Sequence, residues 1–171
     1  SSDKLHLTTI RELVHIIKMN RVWTYVISKK LTEHELNSLI ESGKNFVNSW
    51  TAHDNKLSAD FEIFKNRIIV VKVNESVHNA SGCSIDKLTR FIKESEAKLS
   101  IELLNRFLIA YKKDNDVDVI PSSRVKELVE QKILTEDSIV YNSSVSNENE
   151  LTNWEQPLKS EKPISVEEKI G

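Results

Sequence analysis

The stretch "LSADFEIFKNRIIVVKV", Leu57 to Val73, decides how the rest of the chain is read. Leu57, Ala59, Phe61 and Ile63 alternate with Ser58, Asp60 and Glu62, the period of two that belongs to a strand with one buried face. Lys65 and Asn66 then mark a tight turn, because asparagine tolerates the left-handed backbone that such turns require. "RIIVVKV", Arg67 to Val73, returns as an almost continuously apolar run, the pattern of a strand in the middle of a sheet.

On both sides of this hairpin the period changes from two to that of a helix. Upstream, Leu36, Leu39, Ile40, Phe46, Val47 and Trp50 share one helical stripe, and Thr32 with Glu35 has the spacing of a capping box. Gly43 lies on that stripe, where the lack of a side chain lets the helix approach a sheet closely, at a helix-propensity cost of about 1 kcal/mol. Downstream, Ile85, Leu88, Phe91, Ile92 and Leu99 form a second stripe, with Ser84 the expected N-cap. "RVWTYVIS", Arg21 to Ser28, and "RFLIAYKK", Arg106 to Lys113, are rich in β-branched and aromatic residues and read as the outer strands of the unit.

The order from Arg21 to Lys112 is therefore β-α-β-β-α-β, and we expect an α+β fold with a ferredoxin-like antiparallel sheet. Extra elements flank it. Ile10, Leu13, Val14 and Ile17 predict an N-terminal helix, with Thr9 and Glu12 as its capping box. After a turn at Asp114 to Asp116, "VDVIP" predicts a short strand that stops or lies at an edge, because Pro121 cannot donate to a ladder. Val125, Leu128 and Val129 predict a third helix capped by Ser122 or Ser123, and "SIVYN", Ser138 to Asn142, a last strand. Beyond it Trp154 is expected to pin an extended polar segment onto the domain. We expect one domain over residues 1–158, with its core at 21–112 and a polar, fraying tail at 159–171.

Bulk composition narrows the function. With 24 Lys+Arg against 26 Asp+Glu and a net charge of −2, the chain has no charge excess to draw it to nucleic acid or an anionic membrane. Its one cysteine cannot form an internal bridge, and no apolar run reaches the roughly 20 residues needed to span a bilayer or has the form of a signal peptide. The expected setting is soluble, reducing and cytoplasmic, and the sequons at Asn74, Asn79 and Asn142 then carry no meaning. Glycine occurs only at 43, 82 and 171, which excludes both a P-loop and a dinucleotide-binding "GxGxxG". There is no "GxSxG" elbow. His15, His34, His53 and His78 are scattered and a multi-cysteine zinc site is impossible, so we expect neither a metal nor a cofactor.

A split βαβ arrangement brings the loop after its first helix to the same end as the loop after its third strand. "WTAHDN", Trp50 to Asn55, should therefore meet "HNASGCSID", His78 to Asp86. Cys83 sits at a helix start, where aligned peptide dipoles favour an anion, and the free N–H groups of Ser84, Ile85 and Asp86 could hold a phosphate or carboxylate. Trp50 could wall the site, His53 or His78 could act as base, and Arg90 could pair with Asp86 at i, i+4 or turn to a ligand. The candidate site is Trp50, Thr51, His53, Gly82, Cys83, Ser84, Asp86 and Arg90. Each also has an ordinary structural reading: Trp50 as core, Gly82 as the supplier of an unusual φ, Ser84 as a cap, Cys83 as a small buried group.

A second candidate surface is the sheet face away from the helices, to which we assign Trp23, Tyr25 and Ile27, with Asp60 and Glu62 beside them. Aromatic residues on such a face suit single-stranded RNA, but the acidic neighbours and the absence of aromatic residues in "RIIVVKV" oppose that. The C-terminal elements or a partner, a second copy of the chain included, are expected to cover it.

The succession "RVWTYVISKKLTEHE" (21–35), "SWTAHDNKLSADFEI" (49–63), "NRIIVVKVNESVHNASGCSIDKLTRFIK" (66–93) and "LTNWEQPL" (151–158) resembles a group of small Bacteroidetes proteins of uncharacterised function, commonly labelled ABC transporter ATPases. "GCSID" with "RFIK" is the most specific part, and such proteins carry a small pair such as Ser-Ser where this chain has Lys87 and Leu88. The resemblance implies a bacterial cytoplasmic protein; without a P-loop it implies no ATPase activity. The expectation is a domain that binds a small ligand or another protein between the 50–55 and 78–86 loops. The alternative is a thiol-dependent enzyme with Cys83 as nucleophile and His53 as base.

Overall fold

The computed structural model describes Ile10 and residues 20–160. The expected helix around Leu13, Val14 and Ile17 and the tail from residue 161 lie outside the described residues.

The hairpin forms as its sequence requires. Strand β4 (Ala59–Phe64) turns at Lys65 and Asn66, with φ of 50° and 63°, into the later strand β5 (Ile68–Asn74). Two successive left-handed residues match the right-handed twist of paired strands. β5 is central: β1 (Asn20–Val26) pairs with it antiparallel on one side and β4 on the other, in the order β1-β5-β4.

Between β1 and β4 runs helix α1 (Glu33–Ser49). Its start is held reciprocally: Glu35 N–H donates to Thr32 Oγ1 at 3.1 Å, and Thr32 N–H donates to the Glu35 carboxylate at 2.9 Å. The Thr32 N–H, together with its hydroxyl, holds the Glu35 carboxyl below its usual range. A small hairpin follows, β2 (Thr51–Ala52) with β3 (Asn55–Lys56). Gly43 of α1 lies directly against the Phe61 ring, where a Cβ would come within 2.3 Å of it. Helix α2 (Gly82–Leu99) lies beside α1 over the same sheet face.

The single four-stranded ferredoxin-like sheet expected from the sequence does not form. The strand that should complete it, β6 (Leu108–Lys113), belongs to a second antiparallel sheet with β7 (Asp116–Pro121), β8 (Ile139–Tyr141) and β9 (Glu155–Pro157), in the order β7-β6-β8-β9. The edge of β1 is occupied instead by the segment after β8. Val22 N–H donates to Ser146 O at 3.0 Å, Thr24 Oγ1 donates to Ser143 O at 3.1 Å, and Arg21 bridges Asn147. That loop satisfies an edge that would otherwise offer unpaired backbone groups.

For β1 the faces are also the reverse of expectation, while Asp60 and Glu62 of β4 do lie opposite the helices, alternating with Phe61. Tyr25 and Ile27 are buried, and Trp23 is packed, under the helices with Phe61, Ile69, Val71 and Val73. Val22, Val26, Ile68 and Val70 point the other way, onto Leu108, Ala110 and Val117 of the second sheet. Both sides of β1 and β5 are apolar, so alternation alone does not say which side the helices take. Of the covers expected for the face away from the helices, the C-terminal elements rather than a partner or a second copy occupy it. Burying it stabilises the fold; a lone three-stranded layer would leave those side chains in water.

The second sheet has its own outer cover. Ile120, Leu128, Leu134 and Val140 pack together beneath α3 (Val125–Glu130), which is entered through a 3₁₀ turn, Ser122–Arg124, with no side-chain cap from either serine. Trp154 anchors its segment as expected, only 8% exposed and edge-on to both Phe64 and Tyr141, each at 5.1 Å between ring centres. Helix α4 (Glu148–Leu151) and a 3₁₀ turn, Leu158–Ser160, complete the described chain. Arg67 ties the layers together: one guanidinium nitrogen donates to Ile27 O at 3.2 Å and another pairs with Asp118 of β7 at 3.4 Å. Among the described residues no helix is long and apolar enough to cross a membrane.

Candidate functional site

The two loops do meet, through a hydrogen bond rather than an open pocket. Trp50 follows α1 in extended conformation and is 2% exposed. Its indole N–H donates to Ser84 O at 2.8 Å, tying the end of α1 to the first turn of α2. A buried indole needs such an acceptor, and this one fixes the ring plane. Strand β2, which begins at Thr51, lies against α2 as well.

The start of α2 differs from expectation. The N-cap is Ser81, not Ser84. Ser81 Oγ accepts from Ser84 N–H at 3.2 Å, and Ser81 N–H donates to Ser84 Oγ at 2.7 Å, so a serine does the work normally given to Glu or Gln in a capping box. Ser84 Oγ also donates to Ser81 O at 2.8 Å, which leaves this buried hydroxyl committed to the cap. Ile85 N–H donates to Ser81 O at 2.9 Å. The N–H groups of Ser84 and Ile85 are therefore spent inside the helix and hold no anion. Gly82, the first helical residue, has no positive φ, and a Cβ there would meet nothing within 4 Å, so neither backbone strain nor crowding requires glycine.

Cys83 is exposed, not buried. His53 is exposed at the tip of the β2–β3 hairpin, where it and Asp54 have φ of 52° and 65°. Among the described residues, no hydrogen bond joins His53 or the half-buried His78 to Cys83. Asp86 and Arg90 are exposed and form no ion pair with each other.

A concavity lies one turn further along α2. Phe46 stacks on Phe91 with ring centres 4.8 Å apart and planes at 16°, and lies 5.1 Å from Trp50. These three rings floor a cleft of about 250 Å³ between α1 and α2. Ser49, Lys87, Arg90 and Glu94 rim it. Arg90 is flanked at i−4 and i+4 by Asp86 and Glu94, yet among the described residues its guanidinium pairs with neither, and Lys87 likewise has no carboxylate within ion-pair distance.

Of the eight expected site residues, only Trp50 and Arg90 line this cleft. Thr51, His53, Gly82, Cys83, Ser84 and Asp86 lie outside it. Phe46, Ser49, Lys87, Phe91 and Glu94 are not among the expected site residues, although a spacing signal exists: Phe46 and Trp50 stand four apart along the chain at the end of α1, Trp50 just past the helix, and 87, 91 and 94 share one face of α2. No group of His, Cys, Asp and Glu among the described residues is arranged to hold a metal ion.

No family model, curated protein or solved structure matches the chain.

Proposed function

We propose that the protein is a ligand-binding domain whose site is the cleft between α1 and α2. The carrying observation is the convergence of three aromatic rings with two cations, Lys87 and Arg90, that have no carboxylate partner among the described residues. A concave apolar floor with a few polar groups at its rim is the usual form of a small-molecule site. The floor is rigid, because Trp50 is hydrogen-bonded to α2 and Phe91 also packs edge-on against Phe61 at 6.1 Å. The resemblance built on "GCSID" and "RFIK" fits a bacterial cytoplasmic binding protein without ATPase machinery.

The thiol-enzyme alternative draws support from the exposure of Cys83 alone. Two measurements separate the readings. A fragment mixture titrated into uniformly ¹⁵N-labelled protein should shift backbone amides of residues 46–50 and 87–94 first; shifts confined to other surfaces, or none, would remove the cleft from consideration. Iodoacetamide labelling of Cys83 that is fast and is slowed by His53→Ala would bring the enzyme forward instead.

A further inference from the structure

We infer that the ligand taken by this cleft is a small anion carried on a flat apolar body, of the class of aryl carboxylates or aryl phosphates. The inference rests on the reading of the cleft as a binding site and adds the chemistry of the occupant.

Size sets the first limit. About 250 Å³ lies below the roughly 300 Å³ at which drug-sized ligands begin to fit. From Lys87 to Glu94 the α2 wall runs about 10 Å at 1.5 Å per residue, enough for one ring and its substituent and too short for a helix laid in a groove.

Charge sets the second. Lys87 and Arg90 lie three residues apart on one face of α2, so both can reach a single anion between them. Arg90, although flanked by acids at i−4 and i+4, forms no ion pair among the described residues, which leaves its planar donors open to a carboxylate or phosphate. Glu94 closes the opposite end of the rim and would repel a second negative group. The anion therefore sits at the Lys87 and Arg90 end.

The floor sets the third. Phe46 and Phe91 are half-buried and stacked on each other, with the Trp50 indole tilted against Phe46, and another ring can continue that array by offset or edge contact. A bare phosphate would leave this surface unused.

The test uses the full chain and four probes of matched shape: benzoate, phenyl phosphate, benzyl alcohol and benzylammonium, with inorganic phosphate as a fifth. Binding is read from cleft amide shifts. Benzoate and phenyl phosphate should bind about tenfold more tightly than benzyl alcohol or benzylammonium, the worth of one charge-assisted hydrogen bond. Arg90→Gln and Lys87→Gln should each lose part of that factor, about threefold, for the anions and leave benzyl alcohol unchanged. Lys93→Gln, a charge change on α2 outside the cleft rim, should alter nothing. Equal binding of benzoate and benzyl alcohol at the cleft would overturn the anion class while leaving the cleft a binding site. Inorganic phosphate binding as tightly as phenyl phosphate would overturn the role of the aromatic floor. If no probe moves residues 46–50 or 87–94, the cleft reading and the ligand class fall together.

Discussion

The two faces of the β1-β5-β4 sheet are buried by different means. One face lies under α1 and α2, where aliphatic side chains such as Leu39, Ile69, Val71, Leu88 and Ile92 pack beside large rings, Trp23, Phe46, Trp50, Phe61 and Phe91, which meet at tilted, edge and stacked angles. The other lies on the second sheet and is filled near β1 and β5 by Val22, Val26, Ile68 and Val70, with aromatic residues only at its margin around Phe64, Tyr141 and Trp154. Branched aliphatic chains on stacked sheets interdigitate into a closed layer, whereas helices bridged by rings leave a gap where they diverge. The cleft belongs to the helical side for that reason. A second concavity, of about 360 Å³, lies against Phe64 and Trp154 at the aromatic margin of the other face, so open surface space follows the large rings rather than one side of the sheet.

That contrast is sharpened most by removing one large ring from each side. Phe61→Ala, at a fully buried position, and Trp154→Ala should each cost about 3–5 kcal/mol in urea unfolding. Only Phe61→Ala should also shift the amides of residues 46–50 and 87–94, because Phe91 rests on the Phe61 ring. A loss under about 1 kcal/mol for either would mean that its side re-packs freely and the contrast fails.

Alkali gives the next largest effect, again on the helical side. Burial pushes the Tyr25 hydroxyl up to about 12 from 10.0, against the partial opposing pull of the Arg106 guanidinium. The unfolded chain therefore loses this proton first as pH rises. The stabilisation is complete below pH 10 and is lost between pH 10 and about 12, a fall on the order of 2–3 kcal/mol. Tyr111 and Tyr141 are also raised by burial and add in the same direction, so Tyr25→Phe should flatten the largest part of the fall and not all of it. Unfolding free energies measured across pH 9 to 12 for both proteins check this; identical slopes would contradict it.

The smallest effect probes the tightest approach. Gly43→Ala should gain about 1 kcal/mol of helix propensity and lose about 1–3 kcal/mol to overpacking against Phe61, a net destabilisation of about 1 kcal/mol. In the Phe61→Leu background, where the ring atoms nearest position 43 are gone, the same change should become neutral or stabilising. A double-mutant cycle by chemical denaturation reads the difference.

The legible parts of the fold are those written within a few residues. The turn at Lys65 and Asn66, the capping box of Thr32 and Glu35, the strand Ala59–Phe64 and the close passage at Gly43 all follow from local chemistry. The cap of α2 was misplaced by three residues because "SGCS" offers two serines and the structure uses both, Ser81 as the cap and Ser84 in the place of an acidic residue. The site was legible only in part. Chain reversal brings Trp50 to the start of α2, and Trp50 and Arg90 line the cleft, while Cys83 and His53, conspicuous in the sequence for their chemistry, lie off it.

The sequence by itself determined the longer strands and helices, the β4–β5 hairpin and the apolar stripes, because periodicity, caps and turn preferences act between neighbours along the chain; the short β2–β3 hairpin, α4 and β9, which lies beyond the strand expected to be last, carry no such signal. Tertiary structure alone decided that β6 joins a second sheet, that residues 143–147 border β1, and that Trp23 and Tyr25 face the helices. A strand apolar on both sides carries the same local pattern in either sheet and either orientation; only the competition to bury both faces of β1 and β5 selects one arrangement, and the cleft between α1 and α2 is set by that selection.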